Sequence, residues 1–240
     1  MSDEVFKQDI DDESVLEPGG PYIIQMLFKK PVEMPDKDEM IHIMKKHVGP
    51  IESFCYDEKM AGFAALDHIA EFQDGKCPVQ LMIMGCNTFD GEGFDDFVMS
   101  QMWDCQEDKE RIFKECNYMV IATDMMAAGL PALERAILDA DFLDALAEMY
   151  PTCEAFYFQN CGKLFLAKEV RAHEIKGADR FIYFGVNVRF FNIQGTNVTI
   201  VIYFSICIFS PLHKESHSNL DDINYRFCWI QYFFYSHHFF

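Results

Sequence analysis

The acidic residues of this 240-residue chain stop abruptly near residue 200, and the segment beyond that point is rich in aromatic side chains. Of the 39 Asp and Glu residues, 36 lie in residues 1–200, whereas residues 201–240 contain twelve Phe, Tyr and Trp. That segment shows neither a helical stripe nor a strand alternation, and an exposed segment of this kind would aggregate. We therefore expect the folded domain to end near residue 196.

Two interpretations of residues 197–240 stay open. The first is that this aromatic-rich tail packs as extra strands. The second, which we favour as a hypothesis, is a reading-frame error after about Thr196–Asn197, because such an error changes composition abruptly and leaves a non-native C-terminus. At the other end, residues 1–20 carry seven acids against Lys7 alone, which predicts a disordered acidic leader. The predicted domain therefore spans residues 21–196.

Hydrophobic periodicity predicts about three helices within that domain. The clearest runs from Pro131 to Met149, with an apolar stripe that includes Leu133, Ile137 and Leu143. Asp36 begins another, which ends before Gly49-Pro50, and a third covers 94–116. β-prone runs separate them at 22–28, in three strands over 51–84, and at 117–123, 154–158, 163–167 and 180–193. This interspersed order predicts an α+β domain with a mixed β-sheet on which about three helices pack.

The net charge of −19 limits the class of partner. A surface this negative repels nucleic acid and anionic membranes, so we expect neither, whereas a basic protein is a compatible partner. The N-terminus lacks the pattern of a signal peptide, and the longest apolar run, 198–209, is too short for the roughly twenty residues of a membrane span. We therefore expect a cytoplasmic protein whose nine cysteines are mainly reduced and buried.

Known catalytic and metal-binding motifs are absent from the sequence. It contains no phosphate-binding glycine loop, no zinc-type cysteine spacing and no nucleophile elbow, and the acids of 90–96 do not match an EF-hand loop. We expect no cofactor and no metal, and the sequence identifies no catalytic residue.

A sparse set of polar side chains in apolar surroundings provides the candidate binding residues. Asp124 ends a buried strand, where an open sheet often presents functional groups. The other candidates lie in predicted helices or interrupt the last strand: Trp103, Asp104, Glu134, Arg135 and Arg189. Each is either a cap, a solvated residue or a structural ion pair, or else a member of one shared cluster that binds a ligand or partner.

Two longer segments, ATDMMAAGL at 122–130 and FIYFGVNVRFFNIQGT at 181–196, resemble an uncharacterised bacterial family, domain of unknown function 4261. The similarity extends to residues 101–104, 134–135 and 152–165 and covers about residues 20–196, and the sequence departs from the family pattern at about Asn197. The resemblance implies a bacterial, cytoplasmic α+β domain and supplies no established activity, cofactor or catalytic residue.

Two functional hypotheses remain. The first is a non-enzymatic, acidic protein-binding module that recognises a basic protein, with an immunity-type role against a basic toxin as one form of it. That form is suggested by analogy with other small acidic bacterial proteins. The second is an enzyme of unknown class with a polar cleft around Asp124, Glu134 and Arg135.

Overall fold

A computed structural model describes residues 20–91, 93–100, 102–192 and 199–204, and for residues 97, 188–192 and 199–204 it describes the backbone alone. The chain divides into a unit of residues 1–210 and a second unit of 211–240, and all described residues belong to the first. The predicted acidic leader at 1–20, apart from residue 20, and the predicted tail at 197–240, apart from the backbone of 199–204, lie outside the described residues.

Strands and helices alternate irregularly along the described chain. The strands are β1 (Ile23–Phe28), β2 (Ile51–Tyr56), β3 (Met60–Phe72), β4 (Gly75–Met84), β5 (Asn87–Thr88), β6 (Tyr118–Met125), β7 (Ala155–Phe158), β8 (Lys163–Leu166), β9 (Asn187–Asn192) and β10 (Thr199–Phe204). The helices are α1 (Lys37–His47), α2 (Asp96–Ser100), α3 (Lys109–Glu115), α4 (Ala132–Met149), α5 (Ala167–Ala172) and α6 (Gly177–Gly185). Two 3₁₀ turns cover Trp103–Cys105 and Ala127–Gly129.

Eight of these strands form one sheet, in the order β2-β3-β4-β6-β1-β7-β8 with β5 beside β6. The α+β class is thus confirmed. The prediction of a mixed sheet was wrong in that detail, because each described pairing is antiparallel. Short turns after β2, β3 and β7 impose this direction on three of the pairings, since only antiparallel neighbours can be joined by a few residues.

The predicted number of three helices was also too low. Two of the three are confirmed, as α1, whose Asp36 side chain accepts a hydrogen bond from the Asp38 N–H at 2.9 Å, and as α4. The third, over 94–116, is broken into α2, a 3₁₀ turn and α3. Buried Lys109 lies at this break, and its Nζ donates to the Met99 carbonyl at 2.9 Å, which satisfies a carbonyl at the end of α2.

The aromatic and β-branched residues of the run Arg180–Ile193 predict a strand throughout. The run does not form one. Its first part belongs to α6, and strand structure begins only at Asn187. The reason is tertiary: Arg180 is buried and donates hydrogen bonds to the carbonyls of Val170 and His173, at 2.8 and 3.2 Å, which fixes α6 against the end of α5.

Helices cover the two faces of the sheet unequally. Side chains of α1, α4, α5 and α6 form the main core with one face, from β2 to β8. On the other face, a smaller core joins α2, α3 and the Trp103–Cys105 turn to β1, β7 and β8. Neither core contains a side chain from that second face of β2, β3 or β4, within the residues that the structure describes.

The predicted domain boundary near residue 197 is not tested by this architecture. Strand β10 begins after it and pairs with β9, from Thr199 opposite Asn192 to Phe204 opposite Asn187, in a separate two-stranded sheet. The reading-frame hypothesis for residues 197–240 stays a prediction.

Candidate functional site

Asp124 and Arg135 form a buried ion pair between β6 and the first turn of α4. Arg135 Nε donates to Asp124 Oδ2 at 2.6 Å, and both residues are 1% exposed. The same two side chains hold the chain that leads into β1: the Tyr22 N–H donates to Asp124 Oδ1, and Arg135 Nη2 donates to the Gly20 carbonyl at 2.9 Å. The pair thus fastens the start of β1 to α4.

Asp139 brings a second carboxyl group to the same guanidinium. It lies one helical turn after Arg135, with 3.8 Å between its Oδ2 and Arg135 Nε, and it is buried. Burial raises the pKa of Asp124 and raises that of Asp139 further, because the Asp124 charge adds to the effect of desolvation on Asp139. Asp139 is therefore the carboxyl group that keeps its proton to the higher pH.

Glu134 is directed away from this cluster. Its Oε1 lies 3.1 Å from His68 Nδ1 on β3, and its side chain is partly exposed. The three residues of the hypothetical catalytic cleft thus separate into a buried pair, Asp124 with Arg135, and an outward-facing residue.

Trp103 and Asp104 lie together in the 3₁₀ turn between α2 and α3. Trp103 is 58% exposed, a large fraction for this side chain. Asp104 Oδ2 lies 3.4 Å from Nζ of Lys163, a buried lysine at the start of β8. Lys163 Nζ also donates to the Tyr183 carbonyl at 2.6 Å, so this ammonium group joins β8 to α6 and to the 3₁₀ turn.

Asp104 lines a cavity of about 360 Å³ with residues of β8, α5 and α6. The lining residues are Asp104, Phe165, Glu169, Ala172, His173 and Tyr183. The Phe165 and Tyr183 ring centroids are 5.6 Å apart, and the His173 ring lies 4.3 Å from that of Tyr183. The cavity therefore combines two carboxyl groups with two phenyl-type rings and an imidazole.

A cation already lies beside these rings. Lys163 Nζ is 4.8 Å from the centroid of the Phe165 ring and 5.4 Å from that of Tyr183, within the range of cation–π attraction. Burial raises the pKa of Tyr183, and the negative charges of Asp104 and Glu169 raise it further. The ring of Tyr183 therefore lies among two carboxyl groups and one ammonium group.

Arg189 cannot be assigned to either cluster. It lies in β9 with its backbone opposite Ile202, and its side chain is outside the described residues. The sequence did not single out Phe165, Glu169, His173 or Tyr183, which come from three different elements and share no spacing along the chain. The one local signal is the direct continuation of β8 into α5, where Glu169 accepts a hydrogen bond from the Leu166 N–H at 3.3 Å.

A second, wider groove of about 940 Å³ lies between the loop before α1 and the β2–β3 turn. Its lining includes Glu33, Met34, Tyr56, Glu58 and Cys86. Carboxyl groups of Glu33, Asp57 and Glu58 lie there beside the Tyr56 ring. The Tyr56 hydroxyl donates to the Pro35 carbonyl at 2.8 Å, and Asp57 Oδ1 accepts from the N–H groups of Lys59 and Met60 at 2.7 and 2.9 Å, so both side chains already have partners within the protein.

Metal and thiol chemistry have little structural basis in the described part of the chain. There, no three His, Cys, Asp or Glu side chains are placed to hold a metal ion together. The seven described cysteines are free, four of them buried and three partly buried. Burial raises the pKa of Cys105 to about 12 and those of Cys116 and Cys161 to about 11, so these thiols stay protonated and weakly nucleophilic.

Comparison with known proteins finds no matching family model, curated protein or solved structure. The resemblance to domain of unknown function 4261 therefore stays a prediction. Within the described residues, no helix combines the length and the apolar character that crossing a bilayer requires.

Proposed function

We propose that this chain is a non-enzymatic protein-binding module that recognises a basic partner, in a bacterial cytoplasm. The observation that carries the proposal is the cavity in which Asp104 and Glu169 face the rings of Phe165 and Tyr183. A Lys or Arg side chain of the partner enters this cavity, where Glu169 and Asp104 attract it and the partly exposed ring of Tyr183 contacts it, while Lys163 keeps its place beside the buried Phe165 ring.

The exposed Trp103 supports the same surface as the centre of an interface. Tryptophan is enriched among the residues that dominate binding energy, and this one precedes Asp104 in the same turn. The net charge of −19 adds a long-range attraction that speeds the approach of a basic protein. An immunity-type role, in which that basic protein is a toxin, is one form of this function.

The enzyme alternative has less support. It requires Asp124, Glu134 and Arg135 to act on one substrate, but Asp124 and Arg135 are enclosed in the core and Glu134 contacts His68 outside it. The closed pair has the contacts of a structural link between β1, β6 and α4.

Binding of an octa-arginine peptide to the full chain, measured by isothermal titration calorimetry, tests the proposal. The double variant Asp104→Asn, Glu169→Gln removes two charges from the cavity, and we expect its affinity to fall about tenfold or more. The control Asp38→Asn, Glu39→Gln removes two charges from the first turn of α1, and its affinity should stay within about twofold of the unmodified chain.

Because Asp104 neutralises buried Lys163, thermal unfolding must first show that the double variant is folded. Glu169→Gln and Trp103→Ala, which leave that ion pair intact, provide a second route, and each should weaken binding severalfold. Equal losses of affinity in the cavity variants and the α1 control would mean that the peptide responds to net charge alone. That result would overturn the proposal.

A further inference from the structure

Among the residues that the structure describes, no helix covers the second face of the sheet at its β2 end. In β3 and β4, Ala61, Phe63, Leu81 and Ile83 point into the main core, so the alternate residues point to the opposite face. In the described residues, α2 and α3 cover that face only over β1, β7, β8 and the start of β6. The part formed by β2, β3, β4 and the end of β6 has no helix layer there.

This uncovered part carries a cluster of apolar side chains beside Glu52 and Gln80, and we call it the bare face. The register of β3, β4 and β6 places on it Met60, Ile69, Met82, Met84 and Met125. Phe54 of β2 joins them, because its ring lies over Gly62. Five of these six side chains are between 37% and 48% exposed, and Met82 is partly buried among them. Clustered apolar side chains of this kind on one sheet face mark an interaction surface more often than scattered ones do.

Phe54 is held in a fixed place on the bare face. Its ring lies over Gly62 so closely that a Cβ at residue 62 would come within 2.5 Å of the ring. A bulge between Ser53 and Cys55 in β2 produces this orientation. The bare face therefore has one ordered aromatic ring beside four flexible methionine side chains, which adapt their shape to a partner.

The dimensions of the bare face fit one α-helix. Four adjacent strands span about 14 Å between their outer axes, and a helix with its side chains is about 10–12 Å wide. The existing helices α2 and α3 lie on the neighbouring half of the same face. A docked helix would therefore continue a layer that the fold has already begun.

Charge favours a basic helix over a second copy of this chain. Residues 51–84, which form β2, β3, β4 and their turns, contain six Asp and Glu against two Lys. Two copies, each with a net charge of −19, repel each other, whereas Lys and Arg on the flanks of a helix meet the acidic turns with opposite charge.

We infer that the bare face docks an amphipathic helix of a partner protein, with Leu- or Phe-type side chains on its inner face and Lys or Arg on its flanks. The inference rests on the proposed function for the choice of a basic partner, and it adds a second surface. The bare face and the Asp104 cavity lie at opposite ends of the strand order, so each can be altered without the other.

Methionine methyl resonances of the full chain provide the direct readout. An 18-residue Leu/Lys amphipathic peptide, added to ¹³C-methyl-methionine protein, should shift the methyl signals of Met60, Met82, Met84 and Met125. The signals of Met26, Met40 and Met44, which are fully buried in the main core, should not move. A peptide in which Glu replaces each Lys should bind at least about tenfold more weakly.

Two double variants distinguish peptide binding at the bare face from peptide binding at the remaining acidic surface. Met84→Lys with Met125→Lys should weaken peptide binding at least about tenfold, whereas Leu133→Lys with Ile137→Lys, two exposed apolar residues of α4, should change it less than about twofold. The cavity variant Asp104→Asn, Glu169→Gln should also leave binding of the Leu/Lys peptide within about threefold, which distinguishes failure here from failure of the proposed function.

The inference is overturned if the four methyl signals stay in place, or if the α4 variant loses as much affinity as the Met84 and Met125 variant. It is also overturned if sedimentation shows that the unmodified chain dimerises while the Met84 and Met125 variant stays monomeric, because the occupant is then a second copy.

Discussion

Asp124 accepts a hydrogen bond from Arg135 Nε at 2.6 Å, and this contact between β6 and α4 is closed off from solvent. Two residues that the sequence offered as candidates for a ligand site thus belong to the interior. A buried ion pair is not by itself a large source of stability, but removal of one partner leaves the other charge without compensation. The contact therefore leads to a clear expectation about stability.

Arg135→Met should destabilise the fold by about 3–5 kcal/mol, because it leaves the carboxyl groups of Asp124 and Asp139 buried without a cation. The free energy of unfolding in urea measures this loss. Arg111→Met is the matched control, since Arg111 pairs with Asp108 at a partly exposed site where such pairs contribute less than about 1 kcal/mol. Losses of equal size in the two variants would contradict the structural role of the buried pair.

Asp139→Asn should change stability in a pH-dependent way. The pKa of Asp139 is raised well above its ordinary value in the folded state, so the folded protein favours the protonated form. The resulting stabilisation is complete below the pKa of the unfolded chain, about 4, and is lost as pH rises toward the folded pKa. Relative to the unmodified chain, the Asn variant should therefore gain stability as pH rises from 4, and it should lose less than about 1 kcal/mol at pH 4. A gap that is constant with pH would show that folding does not raise the pKa of Asp139.

Leu143→Asp should prevent folding or cost more than about 3 kcal/mol, because Leu143 lies in the core and the new carboxylate has no partner there. Leu133→Asp, on the same helix at 66% exposure, should cost less than about 0.5 kcal/mol. Circular dichroism with urea titration distinguishes the two. A cooperatively folded Leu143→Asp variant with near-normal stability would mean that α4 buries a different face.

Gly62→Ala should destabilise the protein by about 1–3 kcal/mol, because the added methyl group collides with the Phe54 ring and with Cys55 Sγ, at 2.5 and 2.7 Å. In a background that already carries Phe54→Ala, the same change should cost at least about 0.5 kcal/mol less, and a double-mutant cycle in urea measures this coupling. Additive effects would show that the Phe54 ring does not lie over Gly62.

Helices α4 and α6 show most clearly what can and cannot be predicted from the sequence. A long apolar period and a proline at its start are sufficient to predict α4, although Leu133 and Ile137 of the predicted stripe are exposed. The contrast with α6 is physical: its Phe, Ile and Tyr residues favour strands locally, and their helical conformation accompanies tertiary contacts, among them those of Arg180 with the end of α5 and with Asp144 of α4.

The residues of the candidate site likewise differ in whether the sequence alone could identify them. Trp103 and Asp104 could be singled out as polar or amphipathic residues in apolar surroundings, but Glu169, His173 and Tyr183 join them only through the packing of α5 and α6 on β8. The hydrophobic pattern could not predict that Asp124 and Arg135 are buried, because both residues occupy positions that a solvated residue could also take.

The position of a partner's cationic side chain in the bound state tests the proposed binding site most directly. Isotope-filtered NOE spectra of the full chain with the octa-arginine peptide should show contacts from the arginine δ-methylene protons to the rings of Tyr183 and Phe165. Saturable binding in which those protons contact other surfaces, and neither ring, would contradict the claim that this acidic protein recognises its partner through the Asp104 cavity.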